Sequence, residues 1–364
     1  MKRILTTAAA LAAAATSAGA GGIDRSGQGL GALFESGRYL ELSFGLVSPK
    51  VDGTDVAAQP TGDVVATYAL IAFSYKYDIN DKVSVALNID QPFGADVLYS
   101  ATSPLLGGTL AVADTYAVTG ILRYKFNEAF SAHGGLRAQH AKGNITLDGL
   151  AYGGPPPGGL SGYDVQLAGN WAPGYLIGVA YEKPEIALRV ALTYHSKVKH
   201  EFETTQAFFP SGTITEVETP QSVNLEFQTG IAKDTLVFGN IRWADWSAFK
   251  IDPVGFPGDG LVELEDTTTY TLGIGRRFNE TWAGSFSLTY EPKGTDPLVS
   301  PLAPTDGRYG ATIGAVYTRD NMKITGGVNY SWLGDAQPQT AEVGRANMTN
   351  NTAVGVGVKV GWSF

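Results

Sequence analysis

The C-terminal stretch Thr352–Phe364, TAVGVGVKVGWSF, alternates without interruption. Thr352, Val354, Val356, Val358, Val360, Trp362 and Phe364 fall on one face of a strand. Ala353, Gly355, Gly357, Lys359, Gly361 and Ser363 fall on the other. An apolar ladder backed by small and polar residues is the pattern of a transmembrane barrel strand, with lipid outside and a wet lumen inside. A soluble sandwich would not turn so many glycines toward its core.

The same two-residue period recurs upstream. Met322, Ile324, Gly326, Val328, Tyr330 and Trp332 alternate, as do Ile186, Leu188, Val190, Leu192 and Tyr194. The pattern predicts fourteen strands, near 39–47, 65–77, 82–99, 114–126, 130–142, 162–182, 185–203, 220–232, 235–250, 267–278, 280–291, 307–319, 321–333 and 350–364. Tight turns such as Lys183-Pro184 and Asn279-Glu280 alternate with long loops near 48–64, 100–113, 143–161, 204–219, 251–266, 292–306 and 334–349. Short periplasmic turns, longer outer loops and an even strand number are the bacterial outer-membrane rule, with both termini in the periplasm. Aromatics gather where strands meet turns: Tyr75, Tyr124, Phe126, Phe130, Phe278 and Trp282 on one side, Tyr290 and Trp332 on the other. The expected fold is all-β: a 14-stranded antiparallel transmembrane β-barrel over 39–364.

Residues 1–20 read as a signal peptide. Lys2 and Arg3 precede an Ala-rich apolar run that ends in Ala18-Gly19-Ala20. Residues 21–38 then precede the first strand and contain Ser26, Gly27, Gly29 and Gly31. No later run approaches the roughly 18–20 apolar residues of a transmembrane helix.

Composition narrows the function. The chain has 364 residues, 26 Lys+Arg, 35 Asp+Glu, a net charge of −9 and no Cys. An acidic chain without a basic block is a poor nucleic-acid binder. Without Cys there is no thiolate metal site or disulfide framework. Enzyme readings are weak. His195 and Ser196 adjoin in a strand, so they point to opposite faces and form no nucleophile–base pair. No Gly-x-Ser-x-Gly is present. Gly27, Gly29 and Gly31 open no βαβ unit. A barrel phospholipase is the one remote enzymatic alternative, and no cofactor is implied.

Three stretches carry a family resemblance. Trp243-Ala244-Asp245-Trp246-Ser247-Ala248-Phe249 resembles the Trp-x-x-Trp-Ser-x-Phe segment of the FadL family of outer-membrane long-chain fatty acid transporters, which includes aromatic-hydrocarbon channels. Trp171–Glu182 followed by Ala191–Ser196 resembles that family's Trp-Gly hairpin and Leu-Thr-Tyr-x-Ser strand. Asn88–Tyr99, with Pro92-Phe93-Gly94, resembles its third strand. The resemblance implies that residues 21–38, with Ser26, Gly27, Gly29 and Gly31 like the family's Ser/Gly-rich start, are a short N-terminal plug; they depart from the family pattern in being short and lacking an Asn-Pro-Ala motif.

The resemblance implies passive uptake of long-chain fatty acids or other hydrophobic molecules. It implies sideways release through an inward kink of the third strand, here Asp90, Pro92, Phe93 and Gly94. Pro removes a ladder hydrogen bond there and Gly permits a bulge. The long loops carry apolar residues suited to capture, Leu105, Leu106, Phe208, Phe209, Phe256 and Leu298, or these side chains pack on one another and close the barrel. Alternation turns Arg123, Arg137 and Arg189 toward the lumen as candidates for a carboxylate head group. Taken singly, each of them suits a structural network with lumenal Asp and Glu or with the plug better than a ligand site. Expected partners are a hydrophobic small molecule, outer-membrane lipid and lipopolysaccharide, and the barrel-assembly machinery. The main alternative is a general diffusion porin for small polar solutes, favoured by the short plug.

Overall fold

The computed structural model describes residues 23–364. The expected signal peptide, 1–20, lies outside them. The described chain is one closed antiparallel barrel of fourteen strands with a cap of loops at one end. We number the strands β1 (Arg38–Lys50), β2 (Tyr68–Asp78), β3 (Val83–Asp90 continuing as Gly94–Leu98), β4 (Leu110–Lys125), β5 (Phe130–Leu147), β6 (Tyr163–Lys183) and β7 (Leu188–His195 continuing as Val198–Gln206). The second half comprises β8 (Thr213–Thr219 continuing as Ser222–Ala232), β9 (Thr235–Ala244), β10 (Thr267–Arg277), β11 (Trp282–Glu291), β12 (Arg308–Arg319), β13 (Met322–Leu333) and β14 (Thr352–Ser363). Each strand pairs with its chain neighbours. β14 closes the barrel on β1, from Tyr39 opposite Ser363 to Lys50 opposite Thr352. Closure leaves neither the first nor the last strand with a free edge.

Burial is inverted relative to a soluble protein. On β5 the neighbours Leu136 and Arg137 are 79% and 5% exposed. Val354, Val356 and Val358 face outward, whereas Lys359, Arg123 and His133 are buried in the lumen. That inversion follows from the period of two and a hydrocarbon solvent.

One device recurs in the tight turns. Asn80, Asn127 and Asn279 each accept two backbone N–H bonds at 2.8–2.9 Å, from the second and third residues onward. Asp234 and Asp320 take positive φ in two further turns.

The long loops fold over the opposite end. Gly53–Asp55 pairs with Ala346–Met348, and Leu298–Val299 runs parallel to Gln337–Pro338. Beneath these pairings lies the main apolar core, including Val51, Val64, Tyr99, Leu106, Ile251 and Met348.

Candidate functional site

β3 is broken where Pro92 and Gly94 stand. Asp90 lies opposite Ala117 of β4, but Gly94 lies opposite Asp114, so β3 holds one residue more than its partner and bulges. Thr115 Oγ1 accepts the Phe93 N–H at 2.9 Å and donates to the Phe93 carbonyl at 2.7 Å, fixing the bulge. On the other side, the β2–β3 ladder stops at Phe73–Ile89 and resumes as a single bridge, Val65–Val97. The wall is therefore parted between β2 and β3 at this height.

The N-terminal segment is hydrogen-bonded to the inward-turned residues. Arg25 N–H donates to the Pro92 carbonyl at 2.9 Å and Gly94 N–H to the Ile23 carbonyl at 2.8 Å. The Arg25 guanidinium packs on Gly94, and a Cβ there, 2.6 Å from the guanidinium carbon, would push that side chain aside. Ser26 Oγ donates to Asp90 Oδ2 at 2.5 Å, and Arg242 Nε to Asp24 Oδ2 at 2.5 Å. Asn224 Nδ2 reaches the Gly27 carbonyl at 2.9 Å, across a turn where Gly27 and Gln28 both take positive φ. The segment then makes one 3-10 turn, Gly31–Phe34. Gly29 packs near Glu226, and Gly31 faces open space. Leu30 and Leu33 pack with Ala86, Ile121 and Leu176. Phe34 sits between two guanidinium groups, Arg123 and Arg189, each 4.6 Å from its ring centre.

Two spaces flank this segment. One, of about 320 Å³, is mixed in character and is lined by Arg137, Arg189, Arg242, Arg308, Glu226 and Glu291. Arg123 does not line it; Arg123 pairs with Glu182 and donates to Ser131 at 3.0 Å. Arg137 is held by Thr119 at 3.3 Å and by His195 Nδ1 at 3.0 Å. The other space, of about 80 Å³, is almost wholly apolar. Ile23, Phe93, Ile145, Leu167, Phe202 and Trp246 line it. Trp246 is fully buried, edge-on to Phe93 at 5.3 Å and to Phe249 at 5.7 Å. It was the motif tryptophan of the sequence, and its place behind the β3 break has no local signal in the strand pattern.

The apolar loop residues divide. Leu106 is fully buried, and Phe209 and Phe256 stack around Tyr163 at 5.6 and 5.1 Å. Leu105 is partly buried against the same core, Leu298 is half-buried, and Phe208 is exposed.

A family model described as outer membrane protein transport protein (OMPP1/FadL/TodX) matches residues 6–364. The chain belongs to this family. Among solved structures, a FadL homologue of Pseudomonas aeruginosa superposes with a TM-score of 0.71 at 15% identity, covering 92% of each chain. The toluene transporter TodX of P. putida gives 0.67 at 15% identity over 91% of each. The toluene transporter TbuX of Ralstonia pickettii gives 0.62 at 15%, over 92% of this chain and 91% of its own. No curated protein sequence matches. At such identities the superpositions establish the fold alone. Family membership places the barrel in the outer membrane, among transport proteins for hydrophobic compounds.

Proposed function

We propose that this FadL-family barrel is a passive channel for long-chain fatty acids or similar hydrophobic molecules, with sideways release through the β3 break. The observation that carries this is the apolar space wedged directly behind Phe93, where the wall between β2 and β3 is parted. An apolar molecule gains roughly 25 cal/mol per Å² on leaving water for such a lining. From there the route to lipid runs past Phe93, Pro92 and Gln91, whose Oε1 accepts the Ile71 N–H across the break at 3.0 Å. Both termini and the tight turns lie on the periplasmic side, and the capped end faces outward. Residues 1–20 direct export and 21–38 form the plug. Arg137 and Arg189, which line the larger cavity, are the head-group candidates, while Arg123 serves Glu182 and Phe34. Leu106 belongs to the closed cap, and exposed Phe208 with half-buried Leu298 are the better capture residues.

A porin for polar solutes is opposed by the hydrogen-bonded plug and by the apolar lining beyond it. The test is uptake of labelled oleate by cells lacking their own fatty-acid transporter, with and without this chain. Chain-dependent uptake is expected. Uptake of toluene but not oleate would assign aromatic cargo instead. A folded, inserted barrel that raises neither, but passes small sugars, would return the porin reading.

A further inference from the structure

The barrel wall is parted a second time, between β6 and β7. Leu176–Lys183 pairs with Leu188–His195, and Val165–Leu167 pairs with Thr204–Gln206, in one unbroken register. Residues 168–174 nevertheless face 197–203 without a ladder. The cause is phase. Opposite residues of an antiparallel pair point to the same face. His195 and Ser196, expected on opposite faces, are both buried here, so β7 flips phase at that step; Ala168 and Gly169 are both exposed, so β6 flips at the other end. Between the two flips, buried Ala172 lies opposite exposed Lys199, and exposed Trp171 lies opposite buried His200. The sequence contributes Pro173, which has no N–H, and a bulge against β5 between Ala141 and Gly143. Two glycines admit the displaced side chains. A Cβ on Gly174 would lie 2.7 Å from Val198 Cγ2, and one on Gly169 would lie 2.7 Å from His140 Nε2.

The gap has unlike lips and an apolar back. Trp171 and Tyr175 stand exposed on β6, whereas β7 presents Lys197 and Lys199, paired with Glu218 at 2.7 Å and Glu216 at 2.8 Å. Exposed aromatics beside charge mark the head-group boundary of a membrane. One side chain spans the opening: Asn170 Nδ2 donates to the Glu201 carbonyl at 3.0 Å, and Asn170 Oδ1 meets His200 Nδ1 at 2.9 Å. Behind this latch, Leu167 and Phe202 line the same apolar space that opens toward Phe93. Irregular backbone at membrane depth is tolerated only against protein or a cavity, and here there is a cavity.

We infer that the β6–β7 gap is a second lateral port. Through it an amphipathic hydrophobic molecule, with an apolar body and a small polar head, passes between the outer-leaflet boundary and the apolar pocket, and Asn170 is its latch. The port extends the channel reading above, and its test is read without transport.

The chain has no native Cys, so a single introduced thiol reports alone. Purified barrels carrying Phe202→Cys, Phe93→Cys or Ala180→Cys are placed in vesicles containing a long-chain N-alkyl maleimide confined to the bilayer. Phe202→Cys is expected to label severalfold faster than Ala180→Cys, which points inward where the β6–β7 ladder is continuous. Adding Asn170→Trp, or outward-facing Ala168→Trp if the first variant fails to fold, is expected to slow Phe202→Cys severalfold and leave Phe93→Cys unchanged. Labelling of Phe202→Cys no faster than Ala180→Cys overturns the port, as does equal slowing at both sites. A protein that transports no hydrophobic cargo yet labels at 202 in this pattern sinks the channel reading and keeps the port.

Discussion

Asp24→Asn is the perturbation that tests whether the N-terminal segment acts as the proposed plug, by loosening its seat. Asp24 and Arg242 form an ion pair at 2.5 Å, with side chains 20% and 7% exposed. Losing one partner of a buried pair costs about 3–5 kcal/mol. Arg242 keeps Ser222 Oγ at 3.0 Å and Asn224 Oδ1 at 2.9 Å, so the lower figure applies. About 3 kcal/mol raises the open population roughly 100-fold, at 1.4 kcal/mol per tenfold. The main-chain bonds to Pro92 and Gly94, and the Ser26–Asp90 bond, still hold the segment most of the time. The assay is single-channel conductance in a planar bilayer. The wild type is expected to be nearly silent, and Asp24→Asn to show brief openings roughly 100-fold more often. Combining it with Arg242→Met removes the stranded charge and should recover part of the closure. Unchanged conductance in Asp24→Asn, or a double variant no quieter than the single, would refute the idea that this pair holds the plug.

Three further outcomes are expected. Trp246→Ala should lower the temperature of the heat-induced mobility shift on SDS gels, losing about 3–5 kcal/mol, and should raise affinity for bulkier apolar probes. Trp246→Phe should do far less, because Trp246 Nε1 has no partner among the described residues. Gly178→Ala should abolish the heat-modifiable band, since a Cβ there would collide with the Leu192 carbonyl and His133, and the carbonyl is fixed in the β6–β7 ladder. Burial pushes the Asp55 carboxyl in the cap upward, but the Ser103 hydroxyl at 2.7 Å and backbone N–H groups of Gln59 and Ala57 outweigh it and hold it below its ordinary value. Its stabilisation is therefore complete above the ordinary carboxylate range and lost as pH falls through the lowered value, below about pH 4. Pepsin should cut the first long loop faster across that window. Asp55→Asn should be cut faster than the wild type at higher pH and show a flatter dependence.

Strand number and placement were legible because each barrel strand is read by two solvents at once. Leu136 beside Arg137 has only one workable orientation in a membrane. The expected 350–364 and the observed Thr352–Ser363 differ only in frayed ends. The turns were legible through Asn80, Asn127 and Asn279, whose side chains act locally. What alternation could not show was who meets whom across the lumen. Arg123, Arg137 and Arg189 share a lumenal orientation, but only the fold reveals that Phe34 is clasped by the first and third. Alternation also hid its own failures. The phase flips at His195–Ser196 and Ala168–Gly169 fall inside runs that read as single strands, because one slip leaves the composition of a strand unchanged.

The main apolar core of this protein joins the cap loops to the strand ends beneath them, and that bears on assembly. Tyr99 donates to the Pro301 carbonyl at 3.0 Å, and Met348 packs near Thr61, so residues far apart in sequence must meet to complete the cap. Until β14 zips onto β1, Val51, Leu106 and Ile251 have no shared interior. Contacts of such long range are slow to form, and exposed apolar loops are prone to aggregate meanwhile. The stage most vulnerable to loss is thus the interval before closure, and a substitution that weakens only the C-terminal strand would be felt first as missing protein, not as altered transport.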